Sequence, residues 1–127
     1  MPSIIVLDTL SPDGLAALDA AAKQGITYEI VTGLKGDALR EALARHDGAI
    51  CRSGVKITAE ALAGNTRLRA VVRAGVGTDN IDKEAATRQG IVVMNTPAGN
   101  TVSTAEHAFA LLLALSRNVA AADASLK

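Results

Sequence analysis

The chain has 127 residues, the size of one compact domain. Its 13 basic and 13 acidic residues cancel to a formal net charge of +0, and aromatic residues make up only 2%. That balance gives no electrostatic grip on nucleic acid or an anionic membrane and no platform for stacking bases. Hydrophobic residues make up 49%, so a core is available, built from Ala, Val, Ile and Leu.

The pattern alternates strand and helix. Ile4 to Leu7 is a β-branched apolar run and predicts a buried strand. Asp8 interrupts it too early for a signal peptide. Ser11, Pro12 and Asp13 supply a helix start: a cap, a proline at the first helical position and an acid in the first turn. Leu15, Leu18 and Ala22 are expected to share its inward face, and Gly25 to end it. Ile26 to Val31 predicts the second strand, Asp37 to Arg45 the second helix, and Gly48 to Cys51 the third strand. His46 is expected to cap the end of the second helix. Cys51 is the only cysteine, which excludes an internal disulfide and suits a reducing cytoplasm; its place in an apolar run predicts a small buried core residue. Thr58 predicts the cap of a short helix ending at Gly64. Leu68 to Val72 predicts the fourth strand, Asp79 to Arg88 the fourth helix with Gly90 as its left-handed cap, and Ile91 to Met94 the fifth strand.

Apolar strands separated by helices imply a parallel sheet covered on both faces. Five such units predict an α/β, flavodoxin-like three-layer sandwich with strand order 2-1-3-4-5, formed by residues 1–127 as a single domain. Residues 101–122 predict one apolar terminal helix, opened by a capping box of Ser103 and Glu106. From Ala108 to Leu115 it is apolar almost all round, so it needs cover on more than one side. A homodimer through residues 104–120, Phe109 and Leu112 among them, is the expectation. The same stretch is far too short for the ~20 apolar residues of a membrane span.

Ligands of such a sheet sit beyond the carboxyl ends of its strands. Three loops converge there: Asp8 to Ser11, Arg52 to Lys56, and Arg73 to Gly77. The guanidinium of Arg52 beside the Ser53 hydroxyl suits a carboxylate or phosphate. Gly75 and Gly77, placed just before a predicted helix, allow backbone amides to approach an anion. The run Gly75-Val76-Gly77-Thr78-Asp79-Asn80 has Asn80 where a dinucleotide fingerprint needs its third glycine, and no acid follows to hold a ribose; it is not a Rossmann phosphate loop. Two scattered histidines, His46 and His107, and one cysteine make no metal site, and His107 is expected to serve packing or surface.

The stretch Arg73-Ala74-Gly75-Val76-Gly77-Thr78-Asp79-Asn80-Ile81-Asp82, followed by Asn95-Thr96-Pro97-Ala98-Gly99-Asn100 and the helix containing Glu106 and His107, resembles the N-terminal region of D-2-hydroxyacid dehydrogenases, the phosphoglycerate dehydrogenase branch above all. The likeness spans the whole chain and is most specific from about Arg69 to Arg117. It implies that Arg52 and Ser53 contact the phosphate end of a phosphorylated hydroxy acid. It also implies that Ala74, Gly75, Val76 and Gly77 offer amides to its carboxylate, with Val76 beside the nicotinamide, and that Asn100 lies at the substrate cleft. In that family the NAD-binding Rossmann domain, with its catalytic Arg, Glu and His, follows where this chain stops. The expectation is a substrate-side lobe without catalytic residues and without its own cofactor, binding a phosphorylated acid weakly and catalysing nothing alone. The alternative is a stand-alone flavodoxin-like domain with a structural or oligomerising role and no ligand. A phosphoacceptor receiver is disfavoured because Arg52 and Asn95 stand where it needs Asp and Lys, and an FMN-binding flavodoxin because Tyr28 and Phe109 are the only aromatics.

Overall fold

The structure is a computed structural model that describes residues 1–127. It divides into two compact units, Met1–Thr96 and Pro97–Lys127. The first unit contains, in order, β1 (Ser3–Val6), α1 (Pro12–Ala22), β2 (Thr27–Ile30), α2 (Gly36–Arg45), β3 (Gly48–Cys51), α3 (Ala59–Leu62), β4 (Ala70–Arg73), α4 (Lys83–Arg88) and β5 (Val92–Asn95). All strand pairs are parallel, and the order is β2-β1-β3-β4-β5, as the alternating pattern predicts.

Local chemistry sets the element ends. The Ser11 hydroxyl accepts from the Gly14 N–H and opens α1, with Pro12 at its first position. The Thr58 hydroxyl accepts from Ala61 N–H and opens α3, and Gly64 (φ 71°) and Gly90 (φ 70°) follow α3 and α4 in the left-handed region. His46 caps α2 as expected: its backbone N–H donates to Leu43 O, and its ring lies 2.7 Å from Ala42 O and 3.2 Å from Glu29.

The core lies on one face of the sheet. Ile5, Leu7, Ala49, Cys51 and Val71 meet Leu39 and Leu43 of α2, Leu62 of α3, and Ala85 and Ala86 of α4. On the opposite face α1 covers the sheet through Leu15 and Leu18. The residue after Ala21 departs from the predicted stripe: Ala22 is exposed and Ala21 is half-buried, because Gly14, Leu18 and Ala21 share the inward side.

Two elements differ from the sequence reading in ways that bear on the site. The predicted fourth helix over Asp79–Arg88 is shorter. It begins at Lys83, where the Asp82 carboxylate caps it by accepting from Ala85 N–H. Residues before it pair as an extended strap instead: Ile57 bridges Ile81 in parallel, Ile57 N–H donates to Asn80 O, and Asp82 N–H donates to Ile57 O. The single terminal helix over 101–122 is two helices, α5 (Thr101–Ser116) and α6 (Val119–Leu126), bent by 61° at Asn118, whose φ of 50° is left-handed. The capping box is also absent. Helix α5 starts at Thr101 with Asn100 as N-cap, so Ser103 sits inside the first turn and donates back to Asn100 O. No residue of α5 or α6 is buried, His107 included, and Phe109, Leu113 and Leu115 are 65%, 63% and 77% exposed. No single helix is long and apolar enough to cross a membrane.

Candidate functional site at the strand ends

The ends of β1, β3 and β4 bring the three predicted loops together. Leu10, Ser11, Arg52, Ala74 and Thr96 line one cleft of about 620 Å3, floored by Ile50 and Val72. Gly54, Val55 and Lys56 line a second cleft of about 530 Å3 with Lys35, Arg40 and Asp37 at the start of α2. The turn from Arg52 to Val55 separates the two, and Ser53 is exposed upon it. Arg52 pairs with no carboxylate through its guanidinium; its Nη1 donates to Thr9 O at 3.3 Å. Lys35, Lys56 and Arg40 likewise form no ion pair, and Asp37 and Glu60 line the same cleft with them.

The turn is clamped from both sides. Below it, the Asp8 carboxylate accepts from Arg52 N–H at 2.6 Å and occupies the space a side chain at Gly54 would fill. Above it, the Asn80 carboxamide donates to Arg52 O at 2.7 Å and to Val55 O at 2.8 Å. The N–H groups of Ser53, Gly54, Val55 and Lys56 find no acceptor in the protein.

The loop after β4 is built the same way. Ala74 N–H donates to Cys51 O and Gly75 N–H to Arg73 O, so these two amides are committed. Gly75 O accepts from Thr96 N–H at 2.9 Å, and Val76 O accepts from the Asn95 carboxamide at 2.6 Å. Val76, Gly77 and Thr78 keep N–H groups without an acceptor.

One reading of this loop is corrected by the geometry. Helix α4 begins five residues after Thr78 and carries its own carboxylate cap, so it contributes no helix N-terminus to an anion seat here. Gly77 is also called for by a contact within the protein. The Arg73 guanidinium lies under the loop, mostly buried and paired with Asp79 at 3.0 Å. A Cβ on Gly77 would stand 3.0 Å from both partners of that pair, and one on Gly75 would stand 3.4 Å from Arg73 Nε. The Arg73 Nε is itself buried without a partner.

Cys51 sits directly beneath Arg52. Burial pushes its thiol up to about 11, the Asp8 carboxylate adds to the rise, and Asn80 and Arg73 offset part of it. It is a packing residue with no thiolate to offer. No three His, Cys, Asp or Glu side chains gather where they could hold a metal ion. Asn100 belongs to the second unit, where its carbonyl accepts from Thr104 N–H and Ser103 Oγ at the start of α5. Asp8, Asn80, Asn95 and Arg73 are the functional-site residues that sequence reasoning did not single out as ligands or supports.

The sequence and the fold match one family. Residues 4–126 match the D-isomer specific 2-hydroxyacid dehydrogenase catalytic domain, and the chain belongs to that family. It is 42% identical over 124 residues to D-3-phosphoglycerate dehydrogenase of Archaeoglobus fulgidus, covering 98% of this chain and 23% of that protein. The corresponding enzyme of Mycobacterium tuberculosis is 43% identical over 127 residues, covering 100% of this chain and 23% of that one. Among solved structures, the NAD+-bound 3-phosphoglycerate dehydrogenase of Entamoeba histolytica superposes with a TM-score of 0.77 at 30% identity, over 89% of this chain and 38% of that chain. The chain thus spans about a quarter of the length of the curated relatives it matches.

Proposed function

We propose that this chain is the substrate-binding lobe of an NAD-dependent oxidoreductase of the D-3-phosphoglycerate dehydrogenase kind, acting in the cytoplasm on the serine-forming route. One observation carries this reading. The guanidinium of Arg52, paired with no carboxylate, lines the strand-end cleft together with Ala74 of the loop after β4, in a chain 42–43% identical to such enzymes over 124–127 residues. Arg52 and the Ser53 hydroxyl would take the phosphate, where a planar fork and a hydroxyl suit its oxygens. The loop Ala74, Gly75, Val76 and Gly77 would take the carboxylate, with Val76 and Gly77 as the free donors and Val76 near the nicotinamide. Hydride transfer needs a nicotinamide and an acid–base pair, and these loops would supply the substrate-binding side of that reaction. The unburied apolar side chains of α5, Phe109 and Leu112 among them, support a homodimer through residues 104–120.

Titration of 3-phosphoglycerate into 15N-labelled protein tests the assignment. Amides of Arg52, Ser53, Val76 and Gly77 should shift saturably with a millimolar Kd, and Arg52→Ala should abolish the shifts. A wild-type spectrum unmoved at 50 mM ligand refutes a substrate site, and a monomer by light scattering at ~100 μM refutes the dimer.

A further inference from the structure

We propose that Asn80 and Asn95 are positioning residues that hold the backbone of the Arg52 turn and of the loop after β4 in the conformation that binds substrate. The inference rests on the substrate-site reading above and adds to it what holds the two loops in place. An exposed loop keeps one conformation only when groups outside it engage its backbone. Here the engagement is by side chains. The Asn80 carboxamide gives its two hydrogens to Arg52 O (2.7 Å) and Val55 O (2.8 Å), bracketing the turn that carries Ser53 and Gly54. The Asn95 carboxamide takes Val76 O (2.6 Å), and Thr96 N–H takes Gly75 O, at the tip of the second loop. Three of the loop carbonyls are thus held by two side chains, while Ser53–Lys56 and Val76–Thr78 keep N–H groups, and Ser53, Gly54, Lys56 and Gly77 keep carbonyls, without a partner in the protein.

The choice of asparagine follows from the chemistry. A carboxamide is the shortest side chain with two donors, whereas aspartate of the same shape would set oxygen against carbonyl oxygen. The Asn80 Oδ1 is buried without a partner. The amide therefore accepts an orphaned acceptor in order to aim its nitrogen at the two carbonyls, which is the orientation the donors dictate. The same strap that places Asn80, pairing Ile57 with Ile81, ties the two loops into one rim.

Three measurements decide the matter. In the wild-type protein, scalar couplings across hydrogen bonds should connect Asn80 Nδ2 to the Arg52 and Val55 carbonyl carbons and Asn95 Nδ2 to that of Val76; their absence overturns the proposal without any variant. Asn80→Ala should move the Arg52 and Val55 carbonyl 13C resonances, and Asn95→Ala that of Val76, each with the rest of the spectrum in place. With 3-phosphoglycerate, each variant should bind about tenfold more weakly, with shifts at Ser53–Lys56 lost in the first and those at Val76–Thr78 lost in the second. Variants that bind as wild type overturn the positioning role. Asn95 is exposed at the end of β5, so its variant keeps the test open should Asn80→Ala fail to fold. A silent wild-type titration refutes the substrate site instead and leaves the couplings and carbonyl shifts to judge the two asparagines.

Discussion

Glycine 54 offers a quantitative test of how the Arg52 turn is held. Its backbone is outside the left-handed region, so alanine is conformationally allowed, yet an added Cβ would overlap the Asp8 carboxylate. Gly54→Ala must push Asp8 away and break its bond to Arg52 N–H. A hydrogen bond to a charged group contributes about 1.5–3 kcal/mol, and the partial exposure of this one places it at the lower end. Restricting the unfolded chain returns about 0.4–1 kcal/mol. The net expectation is a loss of about 0.5–1 kcal/mol, a fall in Tm of roughly 2–8 °C for a unit of this size. The sharper expectation is the coupling. In an Asp8→Ala background the obstruction is gone, so the same Gly54→Ala change should stabilise by about 0.4–1 kcal/mol. Urea denaturation of the wild type, both single variants and the double variant gives the coupling directly, expected near 1.5 kcal/mol. A coupling below about 0.5 kcal/mol would show that Asp8 does not occupy the space above Gly54, and the clamp would be refuted.

At the opposite end of the sheet, Asp47 accepts from Arg67 and from the backbone and hydroxyl of Ser3, and these contacts hold its carboxyl well below the usual carboxylate range. The folded pKa is lowered, so the stabilisation is present above the unfolded value of about 3.9 and is lost as pH falls below it. Asp47→Asn should flatten the acid limb of a plot of urea midpoint against pH, and an unchanged limb would exclude this node as its source. Cys51, fully buried with its thiol raised to about 11, should react with a disulfide reagent at pH 8 only as fast as the protein unfolds, and at once in urea; fast labelling of the native protein would contradict its burial. Leu43→Ala removes a fully buried side chain and should cost about 2–5 kcal/mol, whereas Leu112→Ala, 58% exposed, should leave the unfolding of dilute protein within about 0.5 kcal/mol while weakening any dimer seen by light scattering.

Strand order was legible because it follows from pattern alone. Apolar runs such as Ile4–Leu7 and Gly48–Cys51, alternating with helices, leave few parallel arrangements, and the right-handed crossover removes most of those. Helix starts with a local cap were equally legible, since Ser11 and Thr58 act on amides three residues away. The misread boundaries share a cause. Asp79 and Ser103 both resemble caps, but another polar residue competes nearby: Asp82 three positions later, Asn100 three positions earlier. At Asp79 the outcome turned on a long-range contact, the pairing of Ile81 with Ile57, that no local signal carries. The break at Asn118 was hidden by composition, because the residues on both sides of it are apolar and helix-favouring.

The candidate ligands stand out in the sequence, and the contacts that hold their loops do not. Arg52, Ser53 and the loop from Ala74 to Gly77 stand out because a cation, a hydroxyl and glycines after apolar strands are unusual wherever they occur. Asn80 and Asn95 do not, since an asparagine in a loop is ordinary turn chemistry and its partners here lie 25 and 19 residues away. Gly77 shows the same division from the other side. Its presence is visible in the sequence, but the need for it comes from the Arg73–Asp79 pair beneath, a contact fixed only once β4 has placed Arg73 at its inner end. A residue that touches a ligand is chosen for its own chemistry and shows it; one that turns a backbone toward the ligand is chosen for the geometry of two loops, and becomes visible only when register has brought those loops side by side.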